Sequence, residues 1–240
     1  MSCSVCLFGD SVAKGVIFDS IRQKYRVLKD CFAASIQAKE HLAVTNYSKF
    51  GCTIDKGREI LERHAEELPS YDFVVFEFGG NDCDFDWHDV AEHPDQPHEA
   101  KTPLETFERS YREAVRFARA NGGNPVLLTL PPIDAQRYFK WISRGEDAGA
   151  ILKWLGDVDR IYRWHEMYNL AVCRVAMREH ALLLDISSSF LERSGYQDLL
   201  CEDGIHPNEK GHDVIFESLR QAAHSAAQLS GRKTPRLALA

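Results

Sequence analysis

Long apolar runs and an excess of basic residues are both missing from this sequence of 240 residues. No stretch approaches the roughly 20 apolar residues that a membrane-spanning helix needs, and the run at residues 5–8 is too short for a signal-peptide core. Lysine and arginine number 29 against 36 aspartates and glutamates, so the formal net charge is -7. Nucleic-acid binding depends on clustered positive charge, and the one basic cluster, Arg232, Lys233 and Arg236, lies near the C-terminus. We therefore expect no nucleic-acid partner, no membrane partner and no secretory leader.

Cysteine occurs seven times, but not in a pattern that builds disulfides or a metal site. An odd count in a chain without a secretory leader is typical of a reduced, cytoplasmic protein. Cys3 and Cys6 form a single C-x-x-C pair, and no second pair follows at the spacing that a zinc site needs. We expect both to be ordinary strand residues, and we expect neither a metal nor another cofactor.

The overall composition is that of a globular protein, with 44% hydrophobic and 27% charged residues. Only 15 glycines and 9 prolines are present, which excludes collagen-like and low-complexity chains. A single domain of this length buries roughly 70–75% of its unfolded surface. We expect one domain over residues 1–229 and a disordered tail over residues 230–240.

Short apolar segments alternate with longer segments of helical periodicity, a pattern typical of βαβ units. Strands are predicted at residues 4–8, 43–47, 73–78, 126–130 and 181–186. Helices are predicted at residues 31–41, 57–68, 104–120, 157–180 and 209–229. Because the strands are apolar throughout, both faces of their sheet should be covered by helices. The sequence therefore predicts an α/β fold, a three-layer α/β/α sandwich around a five-stranded parallel sheet.

Two segments break this alternation. Residues 15–28 carry apolar residues in two short groups and predict a small hairpin, while residues 83–102 are acidic, contain histidines and are marked by prolines. Both follow the carboxyl end of a predicted strand, which is where open α/β sheets bind their ligands.

A serine and a histidine with a nearby carboxylate stand at opposite ends of the chain. Ser11 follows the first predicted strand, and Asp203 precedes His206 by three residues in a loop shaped by Gly204 and Pro207. A serine becomes a good nucleophile when a histidine removes its proton and a third group orients that histidine. Locally, an ordinary turn at Ser11 and a capping loop before helix 209–229 explain the two segments as well.

Hydrogen-bond donors for an oxyanion are the third element that acyl transfer requires. Asn81 follows the most apolar strand, and Gly51 follows the second one. The Asn81 amide and the backbone N–H groups of Gly51 and Ser11 are the candidate donors. A turn explains Gly79-Gly80-Asn81 equally well when it is considered alone, but all these elements fall where strands end on one sheet edge.

Taken in order, these segments resemble the sequence blocks of the SGNH hydrolases, also called the GDSL esterase/lipase family. The resemblance spans about residues 4–229, and its blocks are Gly9-Asp10-Ser11, Gly51, Gly79-Gly80-Asn81-Asp82 and Asp203-Gly204-Ile205-His206-Pro207. It implies a flavodoxin-like α/β/α fold, Ser11 as nucleophile, His206 as base and Asp203 as the residue that orients the base. It further implies an oxyanion hole formed by Ser11, Gly51 and Asn81. The leucine usual after the serine is Val12 here.

Several aromatic side chains and three histidines lie in segments that follow predicted strands. Tyr138, Phe139 and Trp141 follow a predicted strand, so they either line an acyl pocket or pack against the crossover helix. Trp154, Tyr162 and Trp164 are expected on the packed face of their helix. His88, His93 and His98 are five residues apart, a spacing that puts no pair on one helix face, so no metal site is expected there.

The function expected from the sequence is that of a serine esterase acting on a small-molecule ester through an acyl-enzyme. We expect a short acyl group, an acetyl, on a polar alcohol such as a carbohydrate, because residues 82–98, rich in aspartate and histidine, suit hydroxyl-bearing leaving groups. The alternatives are a lysophospholipase or thioesterase using the same site, and a non-catalytic module that binds a small ligand. The sequence does not predict the oligomeric state.

Overall fold

A five-stranded parallel sheet lies at the centre of the structure, a computed structural model that describes residues 3–40 and 42–229. The strands of the described residues are β1 (Ser4–Gly9), β2 (Val16–Asp19), β3 (Lys24–Val27), β4 (Ala43–Asn46), β5 (Phe73–Glu77), β6 (Pro125–Leu128) and β7 (Leu182–Leu184). The sheet has the order β4-β1-β5-β6-β7, the flavodoxin-like order. The expected disordered tail at residues 230–240 lies outside the described residues.

Helices cover both faces of this sheet, which confirms the predicted three-layer sandwich. They are α1 (Ser11–Lys14), α2 (Phe32–Lys39), α3 (Ile54–Arg63), α4 (Trp87–Glu92), α5 (Leu104–Ala120), α6 (Ala135–Ile142), α7 (Ala148–Leu155), α8 (Asp159–Arg178), α9 (Ser187–Leu191) and α10 (Glu209–Leu229). Successive residues of β1 point to opposite faces. Cys6 and Phe8 join the core under α3, α5 and α8, while Leu7 joins the core under α2, α9 and α10.

The predicted helices agree with the structure at α5 and α10 and differ elsewhere. The helix expected at residues 57–68 begins earlier, at Ile54, and ends at Arg63, and a separate 3-10 turn follows at Ala65–Ser70. This turn contains Pro69, which cannot donate the backbone hydrogen bond of a continuing α-helix. The helix expected at residues 31–41 ends at Lys39, and its last predicted residue lies outside the described ones.

Helices α6 and α7 lie within residues 131–156, where no helix or strand is predicted from the sequence. Each begins at an aspartate that accepts hydrogen bonds from the first turn. Asp134 accepts from the N–H groups of Gln136 and Arg137, and Asp147 accepts in the same way from Gly149 and Ala150. Such N-cap aspartates are a local sequence signal that could have located both helices.

The predicted hairpin at residues 15–28 is confirmed, since β2 and β3 pair in antiparallel fashion. It packs toward the carboxyl edge of the sheet. The Phe18 ring lies 4.6 Å from that of Trp141, and the Tyr25 ring lies 5.2 Å from the imidazole of His206. The hairpin thereby brings aromatic side chains to the edge at which the strands end.

Within the described ranges, no helix combines the length and the apolar character needed to cross a bilayer.

One histidine is buried with polar atoms that are unpaired in the described part of the chain, which lowers the free energy of unfolding. His212, near the start of α10, is 1% exposed, and neither of its ring nitrogens has a hydrogen-bond partner among the described residues. Its ring stacks on Phe32 at 5.8 Å between centroids. Burial, with a further contribution from the charge of His206, lowers the pKa of His212 to about 4.

We predict that His212→Leu makes the protein less sensitive to acid. The pKa of His212 is lower in the folded state than the ordinary value near 6.5, so stability falls as the pH drops from about 6.5 to about 4. The loss attributable to this one group is on the order of 3 kcal/mol at the acid end. Urea unfolding between pH 7 and pH 4 measures it, with His93→Leu on the surface as the matched control. A variant as acid-sensitive as the parent would contradict the prediction.

Candidate active site

The candidate site residues meet in a cleft of about 420 Å³ at the carboxyl edge of the sheet. Ser11, Gly51, Asn81 and His206 all line this cleft. Ser11 follows β1 and Asn81 follows β5, which are neighbouring strands. After β1 the chain continues to β4 on one side of β1, and it then crosses to β5 on the other side. Open α/β sheets bind their ligands at such a switch point.

Ser11 is the first residue of the one-turn helix α1, directly after β1. The Asp10 carboxylate accepts a hydrogen bond of 2.8 Å from the Val12 N–H, which fixes the start of this turn. Gly9 is required just before it, because a Cβ atom there would lie 2.5 Å from the Ala13 Cβ and 2.7 Å from the Glu77 carbonyl oxygen. The strand can therefore turn sharply into α1, which places the Ser11 hydroxyl at the edge of the cleft.

A continuous chain of hydrogen bonds connects Ser11, His206 and Asp203. The Ser11 hydroxyl lies 2.9 Å from Nε2 of His206, and Nδ1 of His206 lies 2.6 Å from Oδ2 of Asp203. With the Nδ1–H donating to Asp203, Nε2 is left free to accept the hydroxyl proton. This is the arrangement in which a serine can act as a nucleophile and a histidine as a base.

Asp203 is held as an anion although it is buried. Burial raises the cost of its charge, but the hydrogen bond and the charge of His206 outweigh that cost and lower the pKa of Asp203. The N–H groups of Ile205 and His206 also donate to Oδ1, each at 3.1 Å. An anionic Asp203 fixes the tautomer and the orientation of the imidazole.

Gly204 allows this acid and base to share one tight loop. Its φ of 78° lies in the left-handed region, and a Cβ atom there would lie 2.7 Å from the Asp134 carbonyl oxygen. The Asp134 N–H donates to the Gly204 carbonyl oxygen at 2.8 Å. The loop is therefore anchored directly on the segment that begins α6.

Gly51 and Asn81 are also brought to the cleft, as expected, from the loops that follow β4 and β5. Gly51 has a φ of 69°. The Asn81 side chain makes a contact that the sequence analysis missed, since its Nδ2 donates to Oδ2 of Asp10 at 3.1 Å. An amide nitrogen carries two hydrogens, so this hydrogen bond orients the amide and leaves one N–H for a ligand.

Two aromatic rings beside His206 were also missed from the sequence. The Tyr25 ring of the hairpin lies 5.2 Å from the imidazole, and the Phe50 ring stacks on it at 6.2 Å. Both rings line the cleft. Phe50 directly precedes Gly51, a predicted site residue, and this position was a signal that its ring lies near the site. Nothing in the sequence connects Tyr25 with His206.

Much of the cleft wall is aromatic. The side chains that form it are Phe85, Trp87, Tyr138, Trp141, Trp154 and Trp164. Of the three aromatic residues whose position was left open, Tyr138 and Trp141 line the cleft, and Phe139 packs against the core instead. Trp154 and Trp164 contact the core as expected, but they also face the cleft, which the sequence analysis did not foresee.

The acidic segment 83–102 is bound to this wall through Asp84. One carboxylate oxygen accepts from the Trp87 Nε1–H at 2.8 Å and from the Tyr138 hydroxyl at 2.6 Å. The other accepts from Lys101 at 2.7 Å. Asp84 therefore connects the segment that follows β5 with helix α6, and it fixes two aromatic rings of the wall.

The histidines of the same segment make local contacts. Nδ1 of His93 and Nδ1 of His98 lie 3.1 Å and 2.9 Å from the two carboxylate oxygens of Asp89, and His88 pairs with Glu146. Across residues 3–40 and 42–229, no group of three or more histidine, cysteine, aspartate or glutamate side chains is arranged to hold a metal ion.

The model of the GDSL-like lipase/acylhydrolase family matches residues 7–214. No curated protein matches the sequence.

Solved structures share the fold at low sequence identity. A lipase/acylhydrolase from Enterococcus faecalis is 19% identical with a TM-score of 0.65, and the match covers 93% of this chain and 96% of that one. LAE5, an α/β hydrolase from the metagenome of Lake Arreo in Spain, is 21% identical with a TM-score of 0.63, covering 92% and 96%. The psychrotrophic esterase EstA from Pseudoalteromonas sp., solved with the inhibitor monoethylphosphonate, is 15% identical with a TM-score of 0.60, covering 94% and 98%.

We predict that Asp84→Ala loosens the aromatic wall. The substitution leaves the Trp87 and Tyr138 donors without their partner, and an unpaired buried polar group costs about 1–3 kcal/mol. The free energy of unfolding should fall by that amount, and tryptophan emission should shift to longer wavelength. Asp95→Ala is the matched control, because Asp95 belongs to the same segment but only forms an exposed ion pair with Lys153, worth less than about 1 kcal/mol. Equal effects of the two substitutions would contradict the role given to Asp84.

Proposed function

Because the chain belongs to the GDSL-like lipase/acylhydrolase family, we propose that it is a serine esterase that hydrolyses a small-molecule ester through an acyl-enzyme. The observation that carries this proposal is the hydrogen-bonded chain from Ser11 through His206 to Asp203, with distances of 2.9 and 2.6 Å. It opens into a cleft large enough for a substrate.

In the first half of the reaction, Nε2 of His206 removes the hydroxyl proton of Ser11 while the Oγ atom attacks the ester carbonyl carbon. The carbonyl oxygen becomes an oxyanion, and the N–H groups of Ser11, Gly51 and the Asn81 amide donate hydrogen bonds to it. Collapse of this intermediate breaks the bond to the alcohol oxygen. His206 returns the proton to that oxygen, and the alcohol leaves.

In the second half, a water molecule takes the place of the alcohol. His206 removes a proton from the water, whose oxygen attacks the acyl carbon bound to Ser11. The carbon–Oγ bond then breaks, the acid is released and the proton returns to Ser11. Asp203 stabilises the protonated imidazole in both halves, and the Tyr25 and Phe50 rings pack beside it.

For the substrate we propose a short acyl group, an acetyl, on a larger polar alcohol such as a carbohydrate. A cleft of about 420 Å³ is far larger than an acetyl group, so the alcohol would occupy the part with the aromatic wall. Charged side chains of Asp84, Lys101 and Arg160 line the cleft beside these rings. Flat apolar faces with a few polar groups suit a ring-shaped molecule that carries hydroxyl groups.

The same apolar wall favours a second candidate. A long acyl chain, as in a lysophospholipid or a thioester, would bury its methylene groups against the aromatic rings. The two candidates differ in which half of the ester fills the cleft.

We further propose a reducing compartment, the cytoplasm, as the location of the protein. All seven cysteines lie within the described residues and all are free thiols. Disulfides form readily only in oxidising compartments.

We predict that Ser11→Ala abolishes hydrolysis without unfolding the protein. Loss of the nucleophile in a serine hydrolase typically lowers kcat by about 10⁶-fold. EstA is inhibited by monoethylphosphonate, so a reactive ethylphosphonate ester should label the parent protein once, at Ser11, as detected by mass spectrometry. Ser189→Ala, remote from the cleft, is the control. A non-catalytic binding module would show neither the label nor the loss of activity.

We predict that kcat/KM for nitrophenyl esters falls by at least about tenfold from acetate to octanoate. Trp154→Ala should then weaken hydrolysis of a carbohydrate acetate more than that of nitrophenyl acetate, because the ring of Trp154 would contact the alcohol. If kcat/KM instead rises with acyl length and Trp154→Ala removes that rise, the cleft holds the acyl chain and the second candidate is correct.

A further inference from the structure

Two buried carboxyl groups lie beneath the nucleophile and have no part in the reaction described above. Asp10 follows β1 and Glu77 ends β5, and each is 1% exposed. Gly9 and Glu77 are paired in the register of these strands, and the Asp10 N–H donates to the Glu77 carbonyl oxygen at 3.2 Å. The fold therefore brings two acids from adjacent strand ends together in the interior.

The hydrogen bonds of the two carboxyl groups are unequal. Both oxygens of Asp10 accept from N–H donors, Oδ1 from Val12 at 2.8 Å and Oδ2 from Asn81 at 3.1 Å. For Glu77, Oε2 accepts from the Ala13 N–H at 3.1 Å. Asp10 thus has the donors that stabilise an anion, and Glu77 has fewer.

Few groups around the pair could neutralise two negative charges. Among the described residues, neither carboxyl forms an ion pair with a lysine or arginine. The titratable groups close enough to interact electrostatically with the pair are Asp82 after β5, Tyr111 of α5, the thiols of Cys52 and Cys83, and His206. Only His206 can be positively charged, and it is already paired with Asp203.

The direction of the pKa shifts agrees with this account. Burial raises the pKa of Asp10, although its backbone hydrogen bond to Val12 opposes the shift. Burial, and next the charge of Asp10, raises the pKa of Glu77 well above the ordinary value for a glutamate. Two neighbouring buried carboxyl groups without a cation between them do not both ionise near neutral pH.

We propose that Glu77 keeps its proton at neutral pH and donates it in a hydrogen bond to an anionic Asp10, which in turn holds the Asn81 amide and the first turn of α1. Glu77 is then a positioning residue that acts on the oxyanion hole through Asp10. This inference rests on the proposed function, since it assigns a consequence to the orientation of Asn81.

The neutral form of Glu77 matters for the chemistry. A neutral acid can fix Asp10 without placing a second negative charge below the developing oxyanion, where it would oppose the stabilisation given by Asn81. When Glu77 loses its proton at alkaline pH, the two carboxylates repel each other and Asp10 moves from the Asn81 amide. We therefore expect kcat to fall on the alkaline side with KM little changed.

The protonation state can be measured in the free protein without any substrate. Burial raises the pKa of Asp82 to about 7, so infrared spectra are compared in an Asp82→Asn background, with and without Glu77→Gln. We expect the carbonyl stretching band of a protonated carboxyl group to persist above pH 8 and to disappear with Glu77→Gln. Absence of such a band in the background protein would overturn the proposal, whatever activity the protein has.

Kinetics test the positioning role. Glu77→Gln, whose amide donates as the neutral acid does, should retain most of the kcat at neutral pH and lose the alkaline fall. Glu77→Leu should lower kcat by about 10²-fold, the effect expected for loss of one oxyanion donor, with KM little changed. Asp82→Asn is the control for removal of a buried acid and should keep the alkaline fall.

An unchanged alkaline fall in Glu77→Gln would overturn the positioning role, and so would a change confined to KM in Glu77→Leu. Because Glu77→Leu could fold poorly, the near-isosteric Glu77→Gln and the infrared band decide the matter on folded protein. If the parent hydrolyses no ester while the infrared band is present, the proposed function has failed and the assignment of the proton stands.

Discussion

The alignment of β1 and β5 at their carboxyl ends is the constraint on which the site depends. Gly9 and Glu77 face each other there, and the backbone hydrogen bond from Asp10 to Glu77 continues the ladder by one residue. Without a side chain at Gly9, the backbone can turn directly over Glu77 into α1. Ser11 and Asn81 consequently leave neighbouring strands at the same level. Their polar groups converge because parallel strands end at one edge, and no long side chain has to reach across the cleft.

Buried carboxyl groups around this point are stabilised in different ways. Asp203 is paired with a histidine and is ionised. Both carboxylate oxygens of Asp82 share the Ile54 N–H at the start of α3, which anchors the loop that carries Gly51. For the Asp10 and Glu77 pair, a shared proton is the solution we propose. Each acid fixes a backbone segment that carries one of the hydrogen-bond donors or the base, so the interior of the site is rigid where the reaction requires precise distances.

The sequence predicts the parts of this protein that depend on nearby residues. Asp203 and His206 are three residues apart, and Ser11 follows a strand directly, so local turn chemistry marks each segment as a candidate. Ser11 and His206 are 195 residues apart, and the resemblance of the ordered blocks to a known family was needed to connect them. The aromatic wall depends on contacts between distant segments, such as Asp84 with Tyr138, which are 54 residues apart. No periodicity encodes such a pairing. The proton of Glu77 is equally invisible in the sequence, because it follows from burial next to Asp10 and from the absence of a cation in the described surroundings.

The chain separates the groups that break the ester from the groups that surround the substrate. Ser11 begins α1, and Gly51 and His206 lie on other loops, whereas the aromatic wall comes from the connections after β5 and β6, the first of which also carries Asn81 near its start. Connections between the strands of a sheet tolerate exchange better than the strands that they connect. Natural variation could therefore alter the preferred ester through these two connections while the reacting atoms stay in place. The hydrogen bond from Asp134 to Gly204 sets a limit on that freedom, since any replacement for the second connection must still present a backbone N–H at this point to support the loop of the base.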